Sequence, residues 1–216
     1  MITNQKIGGV IQTLKRLVRR WEEPIVGHYR DDAFRTLISC LLSLRTKDET
    51  TAGASERLFR LARTPARMLA LSPAQIERAI FPVGFYHTKA RTIRAVCRTL
   101  LECHGGRVPD DLDELLAIKG VGRKTANLVI TLAFRKDGIC VDTHVHRISN
   151  RWGYVRTKTP EQTEQALRAK LPRRHWQIYN DLLVTFGQNL CHPTSPWCSR
   201  CPLERVCAKV GVSRSR

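Results

Sequence analysis

The sequence predicts an all-α protein. Apolar residues recur at helical spacing, helix starts carry capping residues followed by proline, and convincing strand alternation is absent. In the first segment, Ile7, Val10, Ile11, Leu14, Leu17, Val18 and Trp21 share one side, with Lys15, Arg16, Arg19 and Arg20 opposite. The period returns through Phe34, Leu37, Ile38, Leu41 and Leu42, and again through Ile93, Val96, Cys97, Leu100 and Leu101. Ser72-Pro73 leading to Gln75, and Thr159-Pro160 leading to Gln162, each predict a capping box with proline in the first turn. Gly105-Gly106 and Pro109-Asp110 read as turns between helices. Ile139-Cys140-Val141 is a short apolar patch, too brief to argue for a sheet.

Charge narrows the choice of partner. The 216 residues hold 37 Lys plus Arg against 19 Asp plus Glu, a formal net charge of +18. Self-repulsion on that scale opposes compaction, and a polyanion that surrenders its counterions relieves it, so DNA or RNA is the expected partner. An anionic membrane would serve the same charge, but no apolar run reaches spanning length. The opening MITNQKIGGVIQTLKRLVRRW lacks the continuous apolar stretch and cleavage site of a secretory signal, so a cytoplasmic, nucleic-acid-associated protein is expected.

Eight cysteines without a secretory signal point to metal or buried thiols rather than disulfides. Cys191, Cys198, Cys201 and Cys207 follow C-x6-C-x2-C-x5-C within 17 residues, among Pro193, Pro196 and Pro202. A segment this short and irregular has no core of its own and needs a staple. Four thiolates suit zinc or an iron–sulfur cluster equally, since both accept tetrahedral sulfur ligation. Cys40, Cys97, Cys103 and Cys140 are expected to be buried, inert thiols.

Leu112 to Ala126 reads as helix, tight Gly-x-Gly turn, helix. Gly120 and Gly122 let the backbone turn sharply and approach a ligand closely. Their amides, at the start of a helix, form an anion site suited to a phosphate, which Lys119 and Arg123 reinforce. An ordinary helix-to-helix corner has the same outline. Lys124 falls in the first turn of the second helix, where the helix dipole and a neighbouring cation disfavour positive charge and so favour the free amine of a nucleophile. A lysine there can also merely bind phosphate. Eighteen residues on, Asp142 follows the apolar patch and precedes a helical stretch. That position suits a helix N-cap, and it also suits a carboxylate that assists an amine or a cationic sugar-like transition state.

Taken together, these segments resemble the endonuclease III family of helix-hairpin-helix DNA glycosylases. The resemblance runs through LLSLRTKD at 41–48, FPVGFYHTKA at 81–90, IKGVGRKTA at 118–126, VDTHVHR at 141–147 and LLVTFGQ at 182–188, then the cysteines. It implies two helical domains with the DNA cleft between them. One is a six-helix domain over 26–137 that contains the hairpin. The other is discontinuous, 1–25 with 138–216, and carries a 4Fe-4S cluster on Cys191, Cys198, Cys201 and Cys207 in the loop 191–207. The resemblance further implies a monomer that removes oxidised pyrimidines from double-stranded DNA and acts as an AP lyase. Lys124 matches the lysine that attacks the sugar's anomeric carbon, expels the base and forms a Schiff base, after which β-elimination breaks the strand on the 3′ side. Asp142 matches the aspartate that assists it. Phe85 stands where the family places an apolar wedge for the vacated stack; core packing is the competing expectation for a large aromatic.

Two positions depart from the family pattern. Arg45 stands where glutamine commonly contacts the orphan base, and arginine donates hydrogen bonds but accepts none. Lys119 stands where proline usually opens the hairpin. Two other readings fit the same sequence: a mismatch or adenine glycosylase without a lysine nucleophile, and a non-enzymatic, metal-containing DNA-binding protein. The pair Lys124 and Asp142 separates chemistry from mere binding. Arg200 and Arg205, in the cysteine loop, are expected near DNA.

Overall fold

The computed structural model describes residues 1–21 and 25–216, and among them the backbone is helical with connecting turns and no strand. In chain order the helices are α1 (Asn4–Val18), α2 (Ala33–Ser43), α3 (Asp48–Leu61), α4 (Pro65–Ala70), α5 (Pro73–Ile80), α6 (Tyr86–His104), α7 (Leu112–Ala117), α8 (Arg123–Leu132), α9 (Thr143–Arg151), α10 (Pro160–Lys170) and α11 (Trp176–Asn189). Among the described residues no helix is long and apolar enough to cross a membrane. The chain divides into two compact units, Ile25–Lys136, and Met1–Pro24 with Asp137–Arg216.

In the Ile25–Lys136 unit, α2 occupies the centre. Phe34 and every residue from Thr36 to Leu42 are buried, so α2 has no solvent stripe of the usual kind. Leu37, Ile38, Leu41 and Leu42 pack with Leu58 of α3, Ile76 and Ile80 of α5, Ile93, Val96 and Leu100 of α6, and Val129 of α8. Each such side chain contributes about 1.5–3 kcal/mol by leaving water. The polar groups of α2 are satisfied locally: Thr36 Oγ1 donates to the Tyr29 carbonyl at 2.7 Å and Ser39 donates to the Arg35 carbonyl. Asp32 caps the helix, accepting from the Arg35 amide at 2.9 Å.

The expected capping box at Ser72 is complete: the Gln75 amide donates to Ser72 Oγ at 3.2 Å and the Ser72 amide to Gln75 Oε1 at 2.8 Å. At α10 only half of it forms. Thr159 Oγ1 accepts from the Gln162 amide at 3.3 Å, but Gln162 Oε1 takes the Lys158 amide at 2.9 Å. The cap residue there has φ −129° rather than the −66° of Ser72, which presents the preceding amide instead of its own.

Cys40, Cys97 and Cys140 are buried as expected, but Cys103 is exposed. The apolar stripe of α6 runs through Ala90, Ile93, Val96, Cys97 and Leu100, and its next inward position falls to the half-buried His104, which turns Cys103 outward.

The second unit packs α1 on α11 and α9 on both α10 and α11. Ile7, Ile11 and Leu14 of α1 join Val145 and Ile148 of α9, Trp152, Tyr154, Leu167 of α10, and Tyr179, Leu183 and Phe186 of α11. Ser149 and Tyr179 hydroxyls meet at 3.0 Å inside this core. Helices α9 and α11 approach most closely at Gly187. A Cβ there would lie 2.3 Å from His144 Nδ1 and 2.9 Å from an Arg147 nitrogen. By contrast, Gly8 and Gly9 of α1 have nothing within 4 Å of an added Cβ.

Gly187→Ala is therefore expected to destabilise by about 1–3 kcal/mol through overpacking. Gly8→Ala or Gly9→Ala should stabilise by about 0.5–1 kcal/mol through helix propensity. Denaturant unfolding midpoints of the three variants check the opposite signs.

Candidate functional site

Helices α7 and α8 form the hairpin. Asp111 caps α7, accepting from the amides of Asp113 at 2.9 Å and Glu114 at 3.1 Å, and α7 closes with the Ile118 amide donating to the Leu115 carbonyl. The turn Lys119-Gly120-Val121-Gly122 is exposed except for the buried Val121, which pins it to the core. The two glycines do different work. Gly120 has φ +97°, and an added Cβ would lie 2.6 Å from the Thr92 methyl of α6, so both conformation and packing require glycine. Gly122 has φ −89° and open space before it; it supplies the N-cap of α8 without a capping side chain. Such an uncapped helix start is the kind of place where an anion can be received.

From Thr125 to Leu132 every residue of α8 is buried, while Arg123 is exposed and Lys124 half-buried. The helix is a plug in the core with its first turn at the surface. Lys119, Gly120, Gly122, Arg123 and Lys124 are thereby brought together.

Asp142 belongs to the other unit. It is half-buried and is the N-cap of α9, with Oδ1 accepting from the Val145 amide at 2.8 Å. The capping expectation and the chemical one are compatible, because a carboxylate has two oxygens and the cap fixes its direction. The preceding apolar patch is anchored by Asn180 Nδ2, which donates to the Cys140 carbonyl at 3.2 Å. His146 Nδ1 meets Thr163 Oγ1 at 2.6 Å, and His144 Nδ1 meets Arg147 at 3.1 Å; both histidines lie on α9 itself.

Phe85 is not a core residue. It is 64% exposed at the N-cap of α6, in the left-handed region with φ +59°. Arg45, also exposed, has φ +53°, and its guanidinium lies 5.8 Å from the centre of the Phe85 ring. Sequence reasoning missed the residue between them. Lys89 of α6 is buried, and its ammonium donates to the carbonyls of Leu42 at 2.7 Å and Leu44 at 2.6 Å and to Thr46 Oγ1 at 3.0 Å. Burial pushes this ammonium down to about 8. The signal was present: Lys89 sits next to Ala90 and four residues before Ile93, on the apolar stripe of its helix.

Cys191, Cys198, Cys201 and Cys207 line one small cavity with Trp152, Phe186, Leu190 and Trp197. Burial above all, helped by the other three sulfurs, pushes the Cys201 thiol up to about 12. Cys207 is raised for the same reasons. Four cysteine sulfurs thus share one apolar cavity, a donor set that zinc or an iron–sulfur cluster accepts. Arg151, which the sequence reading also passed over, is buried and holds this loop, donating to the carbonyls of His192 at 2.8 Å and Pro193 at 3.1 Å and lying 3.2 Å from Cys191 Sγ. Arg200 and Arg205 are exposed, and Arg200 lies over the Trp197 ring at 5.4 Å.

A helix-turn-helix hairpin whose second helix opens without a side-chain cap, and a four-cysteine loop, are thus set in a chain that is all helix and turn among its described residues. Residues 38–173 match the HhH-GPD superfamily of base excision DNA repair proteins, and the chain belongs to that superfamily. It is 46% identical to endonuclease III of Thermotoga maritima over 199 residues, covering 92% of each chain. Against endonuclease III of Escherichia coli it is 36% identical over 197 residues, covering 91% of this chain and 93% of that one. A solved endonuclease III trapped as a covalent intermediate with DNA superimposes with a TM-score of 0.87 at 34% identity, over 97% of each chain. A thermostable thymine-DNA glycosylase shares the fold, with a TM-score of 0.82 at 24% identity over 95% of this chain and 97% of that one.

The unequal glycines are separable by experiment. Gly120→Ala should lower stability by at least about 1 kcal/mol, since a positive φ and a clash act together. Gly122→Ala should stay within about 0.5 kcal/mol of the parent. Thermal unfolding of both variants, without DNA, reads the difference.

Proposed function

We propose that this base excision repair enzyme, a DNA glycosylase and AP lyase, acts on oxidised pyrimidines through Lys124 as nucleophile and Asp142 as its assistant. The observation that carries the proposal is Lys124 itself, half-buried in the surface turn of an otherwise buried α8, beside a glycine that leaves room for a DNA phosphate. The backbone amides of the hairpin, with Lys119 and Arg123, grip that phosphate and bring the sugar to the amine. The amine attacks the anomeric carbon, the bond to the damaged base breaks, and the sugar ring opens to a Schiff base on Lys124. Loss of a sugar proton then expels the 3′ phosphate by β-elimination. Asp142 accepts a proton from the amine and stabilises the positive charge that grows on the sugar as the base departs. A solved endonuclease III trapped as a covalent intermediate with DNA supports a reaction that passes through a covalent enzyme–DNA bond.

The target carbon is inaccessible in a stacked duplex, so the nucleotide is extruded. Phe85, exposed at the head of α6, fills the vacated stack, and Arg45 contacts the orphan base by donating hydrogen bonds. Cys191, Cys198, Cys201 and Cys207 hold a 4Fe-4S cluster, which when bound supplies the cross-link that an irregular segment lacks. That segment presents Arg200 and Arg205 to the DNA backbone.

Borohydride treatment during reaction with an abasic duplex should trap a covalent adduct with the parent protein and none with Lys124→Gln. An undiminished adduct in the variant would assign the nucleophile elsewhere. Asp142→Asn retains a capping oxygen, so it should keep the parent's unfolding midpoint within about 0.5 kcal/mol while base removal falls at least about 100-fold. Binding should weaken steeply with salt, by at least about tenfold between 50 and 200 mM, because several phosphates are neutralised. The purified protein should be brown, and Cys201→Ala should lose the visible absorbance; a colourless parent with bound zinc would count against the cluster.

A further inference from the structure

Arg45 and Phe85 are far apart in sequence, yet both occupy the left-handed region that side chains other than glycine rarely adopt. Such conformations persist where their surroundings dictate them. The surroundings here centre on one buried amine. Lys89 Nζ binds the carbonyls of Leu42 and Leu44, at the open end of α2, and the hydroxyl of Thr46. The Leu44 carbonyl lies in the same peptide plane as the Arg45 amide, so gripping it at 2.6 Å fixes one of the two planes between which Arg45 φ is measured. Thr46 Oγ1, held at 3.0 Å, brackets Arg45 from the other side. The Lys89 amide meanwhile donates to the Phe85 carbonyl at 3.0 Å, so the same residue also secures the head of α6. The two loops are pressed together at Gly84, where an added Cβ would stand 2.9 Å from the Arg45 carbonyl oxygen and 3.5 Å from Thr46 Oγ1.

We propose that Lys89 is a positioning residue that clasps the loop of Arg45 to the loop of Phe85, so that wedge insertion and contact with the orphan base occur as one coupled event. The inference rests on the reading of Arg45 and Phe85 as DNA contacts. Three oxygens around one ammonium make the clasp specific for a lysine: methionine fills the volume but leaves the carbonyls without their donor. Burial and a lowered ammonium show that the contact is maintained at a desolvation cost, which a solvent-facing surface lysine would not carry. With the clasp in place, the 5.8 Å approach of the Arg45 guanidinium to the Phe85 ring is a fixed geometry rather than a chance encounter of two exposed side chains.

The test uses the full-length, cluster-loaded protein under single turnover, well below each variant's unfolding midpoint. The substrate is an oligonucleotide with one 5-hydroxyuracil, either single-stranded or paired with each of the four bases. Arg45→Ala is expected to flatten the differences among opposite bases, and Phe85→Ala to lower the duplex-to-single-strand rate ratio. Lys89→Met should do both, reducing the duplex-to-single-strand ratio by about five- to tenfold, and should flatten opposite-base preference no further in an Arg45→Ala background. Thr46→Val, which removes one of the three oxygens around the amine, and Gly84→Ala, which forces the two loops apart and leaves the amine's oxygens in place, should move the same two ratios in the same direction, and they carry the test if Lys89→Met fails to fold. Equal slowing of every substrate, or full additivity with Arg45→Ala, would overturn the coupling while leaving the roles of Arg45 and Phe85 standing. If Arg45→Ala and Phe85→Ala themselves leave both ratios unchanged, the reading of those two residues falls, and the inference with it.

Discussion

The burial of α2 is the constraint on which the hairpin unit depends. A helix enclosed on nearly every side cannot shift without opening the core, so whatever is attached to it inherits its position. Its carboxyl end delivers Arg45, and its flank receives α8, the helix that starts with Arg123 and Lys124. The same close packing creates a problem at that end, where carbonyls of Leu42 and Leu44 would be left without donors. Lys89 supplies them from the neighbouring helix.

Charge is distributed to suit a polyanion. The cations of α1, the hairpin and the cysteine loop are exposed or half-exposed, whereas the buried cations Lys89 and Arg151 are engaged with backbone carbonyls instead of carboxylates. A carbonyl cage satisfies a cation's donors without adding a negative charge that would repel phosphate. Lys89 and Arg151 therefore brace two loops, one beside Phe85 and one carrying the cysteines, without drawing on the chain's few carboxylates.

Much of this was legible in the residues. Helical periodicity located the cores because it reports burial directly, and Ser72 and Thr159 marked helix starts because capping is a local interaction. Lys124, the two hairpin glycines and the clustered cysteines could be named because their spacing is short. What escaped was non-local. The role of Lys89 depends on carbonyls more than forty residues away in sequence, and that of Arg151 on a loop some forty residues on. Cys103 was misplaced because one position at a helix end decides between core and solvent, and periodicity is weakest there. Nor could spacing distinguish Gly120, which the turn requires, from Gly122, which only leaves room.

Helix α8 carries a consequence for motion. Since Thr125 through Leu132 are all enclosed, its amides belong to the part of the unit that opens last, and hydrogen exchange there reports global unfolding rather than local breathing. Lys124 is thus mounted at the head of a helix that is otherwise enclosed in the core. A partner that meets the first turn of this helix therefore meets a surface backed by the core, and it is the partner that has to bend toward it.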